Sequence, residues 1–270
     1  MKFMDFELAR RVEMAEASAG RACAECARES HPELSVAIEE IAGGFAVFAG
    51  VDSPVTQMIG LGMNGLVEEA DLDRVEEFYR SRGAAVALEI CPLVDICLYQ
   101  LLAKRGYRLA EVSNVHVREL SDGDLNPAAN EHVIVRPALA KEAKLWTLTV
   151  AQGFSEHYPV TQPILDVMEG FVHDGGACCF LAFIDGEVAG GGAVAARAGV
   201  CGLFGASTLI GFRKRGVQSA LLAARIAWGR ERGCDIGVSI TQPASISQRN
   251  IERFGFRVAY TRTKLVREWA

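Results

Sequence analysis

Apolar residues recur along the chain at two spacings, and each change of spacing marks an element boundary. In the first half the pattern predicts a long helix over Phe6–Arg28 and a hairpin made by Val36–Phe48 and Thr56–Leu61. An acid-led helix over Ala70–Ser81, a strand over Ala84–Ile90, a helix over Asp95–Lys104 and a strand over Arg108–Val117 follow. A cluster of turn formers and acids, Ser121 to Pro127, then interrupts the pattern. It divides the chain into an expected unit at 1–125 and a second at 131–270.

The second half predicts a strand at His132–Arg136, helices at Leu139–Gln152 and Pro163–His173, and strands at Cys178–Ile184 and Val188–Ala196. Asp185-Gly186 between those two strands is a strong hairpin signal. A strand at Val200–Leu209 leads through a basic turn into a helix whose Val217, Leu221, Ala224 and Trp228 share one face and which stops at Gly233. A strand at Asp235–Thr241, a short helix at Ala244–Phe254 and a strand at Phe256–Val266 complete the series. Arg105-Gly106-Tyr107 and Phe254-Gly255-Phe256 each end a helix and open a strand, so the order of elements points to an internal duplication. The class is α+β, with strands and helices mixed.

Composition narrows the reading. At 270 residues the chain has room for two ordinary cores, and no run approaches the ~20 uncharged residues of a membrane helix. The first residues mix charges with apolar groups, unlike a secretion signal, so a cytoplasmic protein that does not engage membranes is expected. Most of the eight cysteines sit in apolar runs, as free thiols in a core would. Cys23 and Cys26 form a C-x-x-C, but Cys91 and Cys97 are too far apart to complete a zinc site, and no metal is expected. The net charge of -6 hides an asymmetry: residues 1–130 hold 22 acids and 12 bases, residues 131–270 hold 12 acids and 16 bases. The second half is the better host for an anion. No long basic run carries interleaved aromatics, which argues against a nucleic-acid partner.

Two glycine-bearing turns compete as phosphate sites. Gly60-Leu61-Gly62-Met63-Asn64-Gly65 spells G-x-G-x-x-G, but Glu68, Glu69, Asp71 and Asp73 follow and would repel an anion at the next helix start. Arg213-Lys214-Arg215-Gly216-Val217-Gln218-Ser219 has the opposite character. A strand ends, three cations follow, a glycine permits close backbone approach, and an amphipathic helix begins with its unpaired amides exposed.

The second turn resembles the Arg/Gln-x-x-Gly-x-Gly/Ala signature of the GCN5-related N-acetyltransferase (GNAT) superfamily, with Arg213 and Gly216 as the first two anchors and Gln218 departing from the third. The resemblance runs from about His132 to the C-terminus and takes in the stretch Ser245 to Phe256, which is similar to the helix and Gly-Phe turn beside the cofactor thiol in that family. It implies a central, mostly antiparallel twisted sheet flanked by helices, in two tandem copies, the first without a cofactor turn. It also implies an acetyl-CoA or other acyl-CoA cosubstrate held by Ser207, Thr208, Arg213, Lys214, Arg215, Gly216, Val217, Gln218 and Ser219, with Ser247 and Asn250 alongside. The expected reaction is transfer of an acyl group to the amine of a small molecule or peptide; oligomeric assembly is left open. Many members carry a tyrosine where this chain has Ile251, so Tyr158 and Tyr260 are candidate substitute acids; Glu156, a further catalytic candidate, lies with His157 in a stretch that often lines the acceptor site in that family, and the base itself is not legible. Loss of that tyrosine also admits a second reading, a non-catalytic acyl-CoA-binding sensor or scaffold.

Overall fold

The computed structural model describes residues 4–51, 53–125, 132–154 and 160–269. The chain opens with helix α1 (Phe6–Ser30), capped by Asp5, whose carboxylate accepts from the Leu8 amide. Strands β1 (Ala37–Ile41), β2 (Gly44–Phe48) and β3 (Gln57–Ile59) follow, then α2 (Glu69–Arg80), β4 (Val86–Ile90), α3 (Ile96–Lys104) and the long β5 (Arg108–Glu119). The second half contributes β6 (Ile134–Pro137), α4 (Ala143–Phe154), α5 (Gln162–His173), β7 (Ala177–Ile184), β8 (Glu187–Arg197) and β9 (Val200–Thr208). It ends with α6 (Val217–Glu231), β10 (Ile236–Thr241), α7 (Ile246–Arg253) and β11 (Arg257–Arg267).

The expected α+β class holds, and so does the duplication. Each half reads strand, strand, strand, helix, strand, helix, strand: β1 to β5 with α2 and α3, and β7 to β11 with α6 and α7. The pairings repeat as well. β1–β2 and β2–β3 are antiparallel and β3–β4 parallel; β7–β8 and β8–β9 are antiparallel and β9–β10 parallel.

One feature was not expected from the order of elements. Among the described residues, all eleven strands form a single sheet, in the order β1-β2-β3-β4-β11-β5-β10-β9-β8-β7-β6. The last strand of each half lies in the other half's territory: β11 is inserted between β4 and β5, and β5 separates β10 from β11. The two copies have exchanged their final strands.

Turn chemistry explains three of the hairpins. Asp185-Gly186, Ala198-Gly199 and Ala42-Gly43 each place two successive residues at positive φ, as a type I′ turn requires. The first was legible. The last splits the Val36–Phe48 run, expected as one strand, into β1 and β2, because alanine is a poor signal for the φ of 47° it adopts here. Helix α4 also starts four residues later than expected, after a short 3₁₀ turn at Ala140–Glu142.

Helix α1 lies on one face of the sheet and touches both halves, packing on β2 and β3 of the first and β8 and β9 of the second. It crosses α5 closely: a Cβ on Gly170 would overlap the carbonyl oxygen of Cys23. His31 Nε2, at the end of α1, lies 3.4 Å from Glu169 Oε2 on α5. On the opposite face, α6 buries Val217, Leu221, Ile226 and Trp228 in a core shared with Phe256 and Ile251.

Candidate functional site

The basic turn sits where the sheet loses its regularity. β9 and β10 pair in parallel only from Val200–Leu203 to Ile236–Ser239. Beyond Leu203, β9 continues to Thr208 paired with β8 alone, so the two strands part and the Phe204–Thr208 edge faces a gap.

A bulge shapes that edge. Gly191 opposes Ser207 and Ala193 opposes Phe204, which leaves one residue of β8 against two of β9, and Gly205 takes a φ of +54° over the Trp146 ring. Arg225 of α6 supports the break. Fully buried, it donates from Nη1 to the carbonyls of Ala193 (3.1 Å) and Phe204 (3.2 Å) and from Nε to Leu221 (3.0 Å). Burial lowers its guanidinium to about 10. Gly192 leaves room for it, since any Cβ there would press on the guanidinium.

β9 then runs through a single 3₁₀ turn, Ile210–Phe212, into the cations. Lys214 has a φ of 65° and Gly216, the N-cap of α6, a φ of 85°, so the backbone doubles back just before the helix. No side chain caps α6 and no acid stands in its first turn. Arg213, Lys214, Arg215 and Ser219 are exposed and Gln218 is half-buried. Arg215 lies over the Phe212 ring and 3.4 Å from Asp185, a solvent-exposed pair of little energetic weight. Val217 is turned inward against Gly190, which fixes the helix start and leaves only its amide to face a ligand.

The other expected residues divide. Thr208 lies on the free edge of β9; Ser207 does too, but its hydroxyl is buried and donates to the Thr149 carbonyl (3.4 Å), so only its backbone is presented. Ser247 is exposed and Asn250 half-buried on α7, a helix capped by Ser245, whose hydroxyl accepts from the Gln248 amide. Glu156, with His157 and Tyr158, lies outside the described residues. Tyr260 lies in the core of the first half. It is buried on the α1 side of β11 and donates to Glu13 Oε1 at 2.6 Å, and burial together with Glu13 pushes its hydroxyl well above the usual range. A phenol held in that way is a worse acid than an ordinary tyrosine.

The rival glycine turn is packed shut. Leu61 and Met63 within it are buried, and a Cβ at Gly62 would press on Val94 and Leu98. Glu68 follows as the N-cap of α2.

Two groupings escaped the sequence. On the α7 side of the sheet, Asn114 of β5 stands between Thr241 of β10 and Thr261 of β11. Asn114 Oδ1 accepts from Thr261, while the buried Thr241 hydroxyl has no hydrogen-bond partner among the described residues. On the α1 side, Arg262 is fully buried among three carboxylates. Its Nη1 lies 2.6 Å from Glu16 and 3.2 Å from Glu13, and its Nε 3.1 Å from Glu89, which also meets Lys264 at 3.3 Å. Burial raises the Glu13 carboxyl above its ordinary value, with Arg262 opposing. The available signal was the placement of Glu13 and Glu16 on the stripe Ala9, Val12, Cys23 and Ala27 that α1 buries. Beside this cluster, between α1, the first half's β2 and β3, and the lips of the β9–β10 gap, lies a cavity of about 300 Å³.

Comparison with known proteins places these features. Residues 144–256 match the model of the acetyltransferase (GNAT) family. The fold resembles a GCN5-related N-acetyltransferase from Kribbella flavida (15% identity, 94% of this chain and 96% of that one, TM-score 0.66). It also resembles one from Sphaerobacter thermophilus (16% identity, 94% and 91%, TM-score 0.59). A third likeness is to a tandem GNAT protein from the clavulanic acid biosynthesis pathway (13% identity, 83% and 77%, TM-score 0.55). The sequence has no match among the curated proteins. The basic turn, the parted strands and α7 all lie inside the segment, residues 144–256, that matches the acetyltransferase (GNAT) family, and the first half of the chain repeats the topology in which that segment is set.

Proposed function

We propose that the protein is an acetyl-CoA-dependent N-acetyltransferase that acylates the amine of a small molecule. The observation that carries this reading is the junction of an uncapped helix start at Gly216 with a strand gap that opens beyond Leu203. A pyrophosphate needs several converging donors and positive potential, which the amides of Val217, Gln218 and Ser219 and the three cations before them offer. An amide-bearing arm needs an unpaired strand edge, which Phe204–Thr208 provides. These residues fit acetyl-CoA, which supplies the activated acyl group.

The chain's own residues then have defined tasks. The turn anchors the phosphates, the Arg225-supported bulge sets the direction of the β9 edge, and the α1-side cavity admits the acceptor from the other face of the gap. Ile251 is buried in the core, so α7 offers no tyrosine acid. A thiol with a pKa near ~8.5 is a good enough leaving group near neutrality to take its proton from water, which keeps the reading consistent with that loss.

Titration calorimetry with acetyl-CoA and with NAD tests the proposal. Binding of acetyl-CoA is expected, weakened roughly tenfold or more in the Arg213→Ala/Lys214→Ala double variant. NAD binding without acetyl-CoA binding would overturn it. Thiol release across a panel of amines, antibiotics and peptides separates an enzyme from a sensor, which would bind acetyl-CoA and release none.

A further inference from the structure

The cavity beside α1 has a chemistry of its own. Its walls are mainly apolar, from Phe45, Val47 and Val55 of the first half and Phe171, Phe204 and Ile240 of the second. Its one charged lining residue, among the described residues, is Glu16. Gln57 and Ser239 are the other polar residues on its wall, and Gln57 Oε1 already accepts from Lys264 at 3.0 Å.

Glu16 is held in place and not fully neutralised. Both its oxygens accept from Arg262, at 2.6 and 3.1 Å, but Arg262 is shared with Glu13 and Glu89, and of the three carboxylates Lys264 meets Glu89. Three carboxylates face two cations, so the cluster is one positive charge short when all are ionised. The missing cation has access only at Glu16, about a third exposed, because Glu13 and Glu89 are buried. The register adds a location. Arg262 pairs with Ser113, two residues past the level at which Tyr260 and Ile240 flank Val115, and there β10 has already left β9. Glu16 therefore stands at the level of the gap.

Resting on the acetyltransferase reading of the same gap, we infer that the acceptor is a compact primary amine with an apolar body, such as an aralkylamine, whose ammonium is bound by Glu16 and yields a proton to water before the neutral amine attacks the thioester carbonyl, the C–N bond forming as the C–S bond breaks and the thiolate taking up the second amine proton. The volume is at the low end for ligand pockets, enough for about one ring and a short tail. An aminosugar or a peptide would have to bury many hydroxyls or amides against phenylalanine and valine, where each unpaired group costs binding. Both halves build this site, which gives the first half a direct part in choosing the substrate.

The test uses the full chain with phenethylamine, butylamine, putrescine, glucosamine and a short peptide, each assayed for thiol release from acetyl-CoA and for binding by calorimetry. Phenethylamine is expected to bind with or without acetyl-CoA and to be acetylated best, and phenethyl alcohol is expected to bind far more weakly. Glu16→Gln should raise the KM for the amine by roughly tenfold to a hundredfold, as loss of a charge-assisted contact does, with the Kd for acetyl-CoA unchanged. Because Glu16→Gln also disturbs a buried network, Gly20→Leu is the second variant: Gly20 lines the cavity, and a Cβ there meets nothing within 4 Å. It should keep the wild-type Tm and acetyl-CoA affinity and lose phenethylamine binding. Acetylation of glucosamine or the peptide in preference to phenethylamine, or phenethylamine binding unaltered in both variants, overturns this inference and leaves the acetyltransferase reading standing. Absence of acetyl-CoA binding with phenethylamine still bound overturns the reading and spares the site.

Discussion

Gly216 adopts a φ of 85° at the N-cap of α6, which a β-branched residue reaches only with strain. Gly216→Val should therefore cost about 1–3 kcal/mol in urea unfolding and, by pushing a side chain toward the phosphates, remove most acetyl-CoA affinity in calorimetry. A second residue-scale prediction concerns the half-buried Arg136–Glu142 pair, whose two hydrogen bonds are both 2.7 Å. Arg136 first, and the Leu139 amide next, hold the Glu142 carboxyl down at about 2, from an ordinary 4.5. A carboxyl lowered on folding stabilises the fold above its unfolded value, and that contribution fades as the pH falls from about 4.5 toward 2. The Tm of Glu142→Gln should lie below wild type at pH 7, and the difference should close across that window. What was legible at this scale was what is contiguous: three cations and a glycine in one turn. The Arg262 cluster was not, because its partners Glu16 and Arg262 lie 246 positions apart and no local pattern connects them.

At the scale of elements, periodicity and turn chemistry served well where the chain obeys local preference. Asp185-Gly186 announces its hairpin; Ala42-Gly43 does not, since the strands on either side impose a backbone angle that alanine disfavours. The close crossing of α1 and α5 was equally invisible, because a glycine inside a helix carries no mark of what it touches. Gly170→Ala should force the helices apart at the Cys23 carbonyl and destabilise the protein by about 1–3 kcal/mol, read as a lower urea midpoint with an unchanged slope. The same contact would tie any displacement of α1 to α5, and α1 is the element that carries Glu16.

At the scale of the whole molecule, the order of elements disclosed the duplication but not the exchange of β5 and β11, which depends on pairing between residues far apart in sequence. Each half expressed alone lacks a strand from the middle of its sheet and exposes two unpaired edges there, one of them long (β5 or β11), a state prone to aggregate. Segments 1–125 and 131–270 should each be insoluble or unfolded alone, yet recover as a one-to-one complex with native circular dichroism when co-expressed. Two independently soluble, folded segments would contradict the strand order described above.

That exchange also bears on how such a protein can change over time. A duplicated domain is usually free to decay once its twin performs the task, and eventually to be deleted. Here the copy without a basic turn lends its last strand to the sheet beside β10 and receives the other's in return. Its surface can drift while its backbone cannot be discarded, so the pair is inherited as one unit even though the basic turn is present in one half alone.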